Sequence, residues 1–232
     1  MMNNIAEQLA LAYQQLHKFS ESRPASWPQA RLIAVSKTKP VADVAAAYAA
    51  GQRQFGENYP QELVSKAAEL THLAELEWHF IGPLQSNKTK LVAETASWVH
   101  SIDREKIARR LSEQRPPQLP PLKVLLQINI SAETSKAGIA PAEMLSLAAA
   151  VASLPRLQLC GLMAIPEAQG KSLEQDFAAM QQLSQQLQQH YPQAIELSMG
   201  MSGDWPLALR YGATMIRLGT AIFGARNYDK HE

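Results

Sequence analysis

Lys37 combines a reactive side chain with a position at the end of a predicted buried strand. It follows the apolar run at residues 32–36, and a loop with Thr38, Lys39 and Pro40 comes after it. A lysine at the end of a buried strand is desolvated, which lowers its pKa and increases the share of the neutral amine. The neutral amine attacks carbonyl carbons, so Lys37 is a candidate for Schiff-base chemistry. The alternative interpretation is a solvated lysine at a rim.

Two glycine-bearing turns in the last third of the sequence could hold a phosphate. Residues 198–204 read SMGMSGD and precede a predicted helix start, and residues 217–220 read RLGT. Exposed amides at a helix N-terminus bind anions, and glycines let the backbone come close to a phosphate. The turns therefore predict a ligand that carries a phosphate. The alternatives are glycines that only reverse the chain and an Arg217 that only forms an ion pair.

Short strand-like runs that alternate with helical patterns must position these residues. Apolar residues at helical spacing predict a first helix within residues 5–19, before any strand, and further helices at 141–153 and 171–190. Eight strands are predicted, at residues 31–37, 53–57, 77–81, 97–101, 122–129, 157–163, 195–199 and 214–218. Eight such units favour an α/β fold, a single (β/α)8 TIM barrel domain over residues 1–232 with an extra N-terminal helix. An open doubly wound sheet is the alternative.

In such a barrel, functional side chains gather at the carboxyl ends of the strands. Lys37 ends the first predicted strand, Asn58 follows the second, and the two glycine turns follow the seventh and eighth, which is the usual phosphate site of this fold. We therefore expect the lysine and the phosphate turns to share one rim. His79 is interpreted as a hydrogen-bonded barrel residue and Cys160 as a small buried core residue.

The composition and the short motifs exclude several classes of protein. With 46% hydrophobic and 19% charged residues the chain is of ordinary globular type, and a net charge of +1 gives no attraction to nucleic acid or an anionic membrane. The N-terminus lacks the apolar segment of a signal peptide and no apolar run is long enough for a membrane span, so we expect a cytoplasmic protein. A single cysteine and the absence of zinc-binding His and Cys spacings predict no metal.

Six stretches along the sequence resemble the pyridoxal phosphate homeostasis proteins, also called the YggS/PROSC family. They are LIAVSKTKP (32–40), FGENYPQEL (55–63), WHFIGPLQSNK (78–88), GLMAI (161–165), LSMGMSGD (197–204) and IRLGTAIFGAR (216–226). The resemblance implies a barrel like the N-terminal domain of alanine racemase. It also implies that the cofactor is pyridoxal 5'-phosphate, held as a covalent aldimine on Lys37.

The same resemblance assigns roles to the other residues of the motifs. Ser202, the amides of Gly200 and Met201, and Gly219 with Thr220 would hold the cofactor phosphate. Arg217 would face the pyridine nitrogen, and Asn58 would lie near the polar edge of the ring. A guanidinium at the pyridine nitrogen disfavours the pyridinium form, so the cofactor would stabilise carbanions only weakly. This argues against transamination and leaves racemisation or simple carriage of the cofactor.

A racemase needs an acid/base group on each face of the substrate α-carbon, and Lys37 can serve only one face. In two-domain racemases the opposing tyrosine comes from an additional domain, and we expect no such domain here. We therefore favour a non-catalytic protein that holds pyridoxal phosphate, acts in vitamin B6 homeostasis and passes the cofactor to apo-enzymes. The alternatives are a low-activity amino-acid racemase and a cofactor-independent Schiff-base aldolase for a sugar phosphate. We expect a monomer, while the recipient apo-enzymes and the release route are left open by the sequence.

Overall fold

The computed structural model describes residues 4–131, 137–166 and 173–225. Eight parallel strands form one closed barrel in chain order, with β8 pairing back to β1. Their bounds are Arg31–Val35 (β1), Gln54–Glu57 (β2), Glu77–Phe80 (β3), Trp98–Ile102 (β4), Leu122–Ile128 (β5), Leu157–Ala164 (β6), Glu196–Ser198 (β7) and Met215–Leu218 (β8). The predicted (β/α)8 TIM barrel is confirmed, and the alternative of an open doubly wound sheet is wrong.

The described residues form nine α-helices around the barrel. They are Ile5–Ser20 (α1), Val41–Ala49 (α2), Pro60–Glu69 (α3), Thr89–Thr95 (α4), Glu105–Gln114 (α5), Met144–Ala152 (α6), Leu173–His190 (α7), Trp205–Arg210 (α8) and Thr220–Phe223 (α9). The predicted helix at 141–153 is a 3-10 turn followed by α6, and residues 171–172 of the predicted helix at 171–190 lie outside the described residues. None of these helices combines the length and the apolar character needed to cross a bilayer.

The extra N-terminal helix α1 is also confirmed. The side chain of Asn4 caps it by accepting from the amide of Glu7, which satisfies one of the free N–H groups of the first turn. Its apolar face, with Leu9 and Leu16 among the buried residues, packs into the same core as the outward side of the barrel strands. Burial of this apolar face, and not helix propensity alone, holds α1 against the barrel.

Two separate apolar clusters follow from the alternation of side chains along the strands. The larger lies between the strands and the helices, and the smaller fills the barrel interior with Ile33, Trp98, Leu125, Cys160, Met163 and Met215. Cys160 is 5% exposed, which confirms its predicted place in the core, and burial raises the pKa of its thiol to about 11. Its thiol is therefore kept in the unreactive protonated form.

The strand β1 is two residues shorter than expected, and this changes the position of Lys37. Ser36 still pairs with β2 through its amide and the Gly56 carbonyl at 3.0 Å. The chain then turns, with Thr38 at a φ of 63° and the Lys39 amide donating to the Ser36 carbonyl at 3.0 Å. Lys37 consequently lies in the loop that follows β1, at the carboxyl end of the barrel, instead of on the strand.

The close approach of β6 and β7 at Gly161 gives a test of the fold. A Cβ atom at Gly161 would lie 1.8 Å from the Glu196 carbonyl oxygen, so Gly161→Ala must push the two strands apart. We expect a loss of about 3 kcal/mol in the free energy of unfolding, measured in urea. Gly203→Ala is the control, because nothing lies within 4 Å of its added Cβ. Equal stabilities for the two variants would contradict this account of the β6–β7 pairing.

Candidate functional site

The loops after β1 and β8 bring Lys37 next to the second glycine turn. A small cavity at this rim is lined by Val35, Lys37, Lys39, Gly219, Thr220 and Gly224. A Cβ atom at Gly219 would lie 3.3 Å from the Val35 carbonyl oxygen, so a glycine allows β1 and the turn after β8 to come this close. The cavity therefore places an amine beside a backbone turn and the exposed hydroxyl-bearing residue Thr220.

The two residues that flank Lys37 are held from the helix side of the barrel wall. The Ser36 hydroxyl donates to Glu57 Oε1 at 2.6 Å, and the Ser36 carbonyl accepts from Lys66 Nζ at 2.7 Å. On the other side of Lys37, the Thr38 amide donates to Glu62 Oε1 at 2.6 Å.

Lys66 joins these contacts into one buried network on α3. Its Nζ donates to Glu57 Oε1 at 2.8 Å and to Glu62 Oε1 at 2.7 Å, in addition to the Ser36 carbonyl. The side chains of Lys66 and Glu57 are 5% and 0% exposed. Burial raises the pKa of Glu57, and the charge and hydrogen bond of Lys66 act in the opposite direction.

Lys39 connects the loop after β1 to the carboxyl end of α9 by hydrogen bonds. Its Nζ donates to the carbonyls of Phe223 at 3.0 Å and Ala225 at 2.8 Å, just after α9. Cations bind well at the carbonyl end of a helix, where the last C=O groups have no partner within the helix. The loop after β1 is thus anchored on the side of β8 as well as on the side of α3.

The turn after β7 has a glycine where no other residue fits. Gly200 adopts a φ of 95°, and an added Cβ would lie 2.8 Å from the Ala208 Cβ. The Met201 amide donates to Asp204 Oδ1 at 2.6 Å. A phosphate at this turn would therefore compete with the Asp204 carboxylate for the Met201 N–H. Ser202, in contrast, is exposed on the turn.

Arg217 is buried inside the barrel, directly beside β1. It is 3% exposed, and its strand register pairs it with Ile33. Nη1 donates to the Ser198 hydroxyl at 2.6 Å and Nη2 donates to the Ala164 carbonyl at 2.9 Å. Burial lowers the pKa of Arg217 to about 10, which leaves it protonated near pH 7. The guanidinium is thus oriented by neutral acceptors rather than by an ion pair.

A chain of hydrogen bonds continues from Arg217 into the barrel interior. Ser198 Oγ lies 2.9 Å from His100 Nδ1, and His100 Nε2 lies 2.9 Å from His79 Nδ1. Burial, followed by nearby positive charges, lowers the pKa of both histidines well below 6.5. Arg217 donates to Ser198 Oγ, and each neutral ring carries one N–H donor and one acceptor nitrogen, so either tautomer of the two histidines satisfies the contacts from Ser198 through His100 to His79. His79 is therefore confirmed as a hydrogen-bonded barrel residue.

Asn58 lies at the same rim, one residue after β2. Its backbone packs so tightly on Gly82 that a Cβ atom at that glycine would be 2.2 Å from the Asn58 carbonyl oxygen. Asn58 Oδ1 is buried and has no hydrogen-bond partner among the described residues. A buried amide oxygen without a partner is costly in a folded protein, so it indicates a place for a donor group of a ligand or of water.

Comparisons with known proteins decide the family. The alanine racemase N-terminal domain family matches residues 14–227 of this chain. The chain is 53% identical over 234 residues to the pyridoxal phosphate homeostasis protein of Escherichia coli, covering 99% of this chain and 100% of that protein. It is 56% identical over 206 residues to the protein of the same name from Vibrio cholerae, covering 87% of each. The chain belongs to the pyridoxal phosphate homeostasis protein family.

Solved structures agree with this family and with its fold. The structure of PipY from Synechococcus elongatus with pyridoxal phosphate bound matches with a TM-score of 0.80 at 41% identity, covering 95% of this chain and 100% of that one. Alanine racemase from Corynebacterium glutamicum matches with a TM-score of 0.69 at 15% identity, covering 100% of this chain and 63% of that one. At this low identity the racemase shares the barrel fold alone.

Several residues that shape the site of this family member were not identified from the sequence. Glu57 and Ser198 lie within the motifs quoted above, but neither was assigned a role. His100 could have been recognised as a buried polar residue, because it is a histidine in the middle of an apolar strand. Asp204 before Trp205 and Pro206 is a helix-start pattern that could have been recognised, although its carboxylate accepts from the Met201 amide and not from an amide of α8. Lys66 gave no signal, because a lysine four residues after a glutamate usually forms an exposed pair.

The buried histidines predict a pH dependence of stability. An unfolded histidine binds a proton near pH 6.5, whereas His79 and His100 resist protonation in the fold. Below that pH the unfolded state binds more protons, so the free energy of unfolding falls by about 1.4 kcal/mol per pH unit for each histidine. Urea unfolding between pH 7 and pH 5 measures this slope.

Matched histidine variants separate this effect from general acid sensitivity. His79→Gln should remove about half of the slope that the two buried histidines produce. His72→Gln, at an exposed position, should leave the slope as it is in the unchanged protein. Identical slopes in all three proteins would show that the buried rings do not control the pH dependence.

Proposed function

We propose that this chain binds pyridoxal 5'-phosphate at the carboxyl rim of the barrel and acts in vitamin B6 homeostasis in the cytoplasm. The observation that carries the proposal is the cavity at the β1–β8 junction, where Lys37 lies beside Gly219 and Thr220. The related PipY structure, 41% identical, has pyridoxal phosphate bound, and this supports the same ligand class here.

The residues at the rim fit the functional groups of this cofactor. Lys37 would supply the amine for the aldehyde. The two would join as a Schiff base, with loss of one water molecule. The exposed residues Ser202 and Thr220 supply hydroxyls for the phosphate, with Gly200 and Gly219 allowing close approach of the backbone. The unpartnered Asn58 Oδ1 suits a donor at the polar edge of the ring.

Arg217 determines what the bound cofactor could do. Pyridoxal phosphate, when bound, supplies an electron sink whose strength depends on protonation of its pyridine nitrogen. Arg217 can only donate, because it carries no lone pair and remains protonated near pH 7. Its hydrogen bonds to Ser198 and Ala164 hold this donor in place. An arginine at the ring nitrogen therefore favours a holding role over carbanion chemistry.

We propose that the chain is not an enzyme and that it releases the cofactor to apo-enzymes. Racemisation needs a second acid/base opposite Lys37. Tyr191 and Tyr211 precede β7 and β8, at the amino end of the barrel and away from the rim. Tyr59 follows β2 at the correct end but is 55% exposed. Since Ser202 and Thr220 are also exposed, solvent reaches the proposed phosphate site, which suits exchange and release.

Hydride trapping tests the covalent attachment. After incubation with pyridoxal phosphate and borohydride reduction, peptide mass spectrometry should place a pyridoxyl adduct on Lys37. Lys37→Ala should lose this adduct, because Lys39, the other lysine that lines the cavity, donates its amine to the carbonyls of Phe223 and Ala225. Lys90→Ala on the exposed face of α4 is the control and should retain it. An adduct that persists in Lys37→Ala, or a sugar-phosphate adduct in its place, would contradict the proposal.

Deuterium exchange at the substrate α-carbon tests the non-catalytic role. A panel of amino acids in heavy water should exchange no faster with loaded protein than with the same concentration of free pyridoxal phosphate. The reason is that the described residues place no second acid/base group opposite Lys37, together with the donor-only Arg217. Exchange that is fast in the unchanged protein and lost in Lys37→Ala would instead favour the racemase alternative.

A further inference from the structure

The backbone on both sides of Lys37 is fixed by side chains that do not face the cavity. Ser36 is bound through its hydroxyl to Glu57 and through its carbonyl to Lys66. Thr38 is bound through its amide to Glu62. All three holding residues come from β2 and α3, on the helix side of the barrel wall. These contacts therefore clamp the chain at Ser36 and Thr38, the residues before and after Lys37.

Lys66 is the central group of this clamp, and its bonding capacity is fully used. An ammonium has three donors, and Lys66 Nζ has three acceptors at 2.7 to 2.8 Å: the Ser36 carbonyl, Glu57 and Glu62. Its side chain is 5% exposed, and it bridges two carboxylates that would otherwise repel one another. A buried lysine in such an arrangement has a fixed position, because any rotation breaks a charge-assisted hydrogen bond.

The conformation at Thr38 explains why the loop needs this support. Its φ of 63° lies in the left-handed region, which a β-branched residue adopts only at a cost of roughly 1–2 kcal/mol. The Thr38 amide bond to Glu62 offsets that cost and fixes the direction in which the loop leaves Lys37. Without it, the loop could relax into a commoner backbone conformation and carry the Lys37 amine away from Gly219 and Thr220.

We propose that Lys66 and Glu62 are positioning residues that hold the Lys37 amine in the geometry needed to react with the cofactor aldehyde. This inference rests on the proposed function. In the step concerned, the neutral Lys37 amine adds to the aldehyde carbon, its protons pass to the aldehyde oxygen, and one water molecule leaves without any change of oxidation state. Neither Lys66 nor Glu62 touches the cofactor; they act through the backbone of Ser36 and Thr38. A small displacement of a reacting group slows a reaction much more than it weakens binding of the rest of the ligand.

The experiment separates adduct formation from binding. The rate of adduct formation with pyridoxal phosphate is followed by stopped-flow absorbance, and affinity is measured with pyridoxine 5'-phosphate, whose alcohol cannot condense with an amine. In Glu62→Met, which removes the Thr38 acceptor, we expect the adduct to form about tenfold more slowly while affinity for pyridoxine phosphate stays the same. Glu62→Gln keeps an acceptor oxygen and should recover most of the lost rate.

Lys66→Met tests the centre of the clamp, with Lys90→Met as the control on the exposed face of α4. Lys66→Met should slow adduct formation more than Glu62→Met does, because it removes the hydrogen-bond donor of the Ser36 carbonyl and of both carboxylates. If Lys66→Met does not fold, the variants Glu62→Met and Glu62→Gln still test the proposal. Both are expected to fold, because the Glu62 side chain is 21% exposed and the ion pair between Lys66 and Glu57 stays intact.

Four outcomes are possible, and each supports the positioning role, overturns it, or overturns the proposed function on which it rests. Unchanged adduct rates in Glu62→Met would overturn it, as would a loss of affinity for pyridoxine phosphate equal to the loss of rate, since that result means a purely structural role. A selective loss of rate with recovery in Glu62→Gln supports it. If the unchanged protein forms no adduct while still binding pyridoxine phosphate, the covalent part of the proposed function fails instead.

Discussion

The pairing of β1 with β8 brings the first and last strands of the chain side by side, and the site depends on it. Four residue pairs, from Arg31 with Met215 to Ala34 with Leu218, set its register. That register puts Arg217 beside Ile33 inside the barrel and places the loop carrying Lys37 against the turn at Gly219. Residues separated by about 180 positions thus become neighbours through backbone hydrogen bonds that favour no particular ligand. A shift of this register by one residue would turn Arg217 from the interior to the helix side.

Two buried polar systems lie on opposite sides of the same barrel wall. On the helix side, Ser36, Glu57, Lys66 and Glu62 hold the loop around Lys37. In the interior, Ser198, His100 and His79 extend from Arg217. Buried polar groups destabilise a protein unless they are paired, and hydrogen bonds satisfy most of these groups, the exceptions being Glu57 Oε2 and His79 Nε2. We infer that the first system positions the Lys37 amine, while the second holds the Arg217 guanidinium through Ser198.

The sequence predicts the barrel well because its signals are local and repeated. Alternating strand and helix patterns identify all eight strands to within two residues, and glycines at 200 and 219 are visible as turns. The end of β1 was placed two residues too late, because Ser36 continues the strand pairing while Thr38 turns the chain. The Lys66 clamp and the Arg217 hydrogen-bond chain could not be predicted. Both join residues from different elements, and only the closed barrel shows that a helix lysine or two strand histidines are buried.

We propose that one rim of the barrel holds pyridoxal phosphate through Lys37, with Arg217 at the ring and the turns after β7 and β8 at the phosphate. These contacts fit a protein that keeps a reactive aldehyde bound and releases it, and the part of the chain that the structure describes places no second acid/base group opposite Lys37. A crystal structure of the protein loaded with pyridoxal phosphate tests the claim most directly. We expect continuous density from Lys37 Nζ to the cofactor, the ring nitrogen within hydrogen-bonding distance of Arg217, and the phosphate between Ser202 and Thr220. Density for the cofactor at another lysine, or with its phosphate away from these two turns, would contradict it.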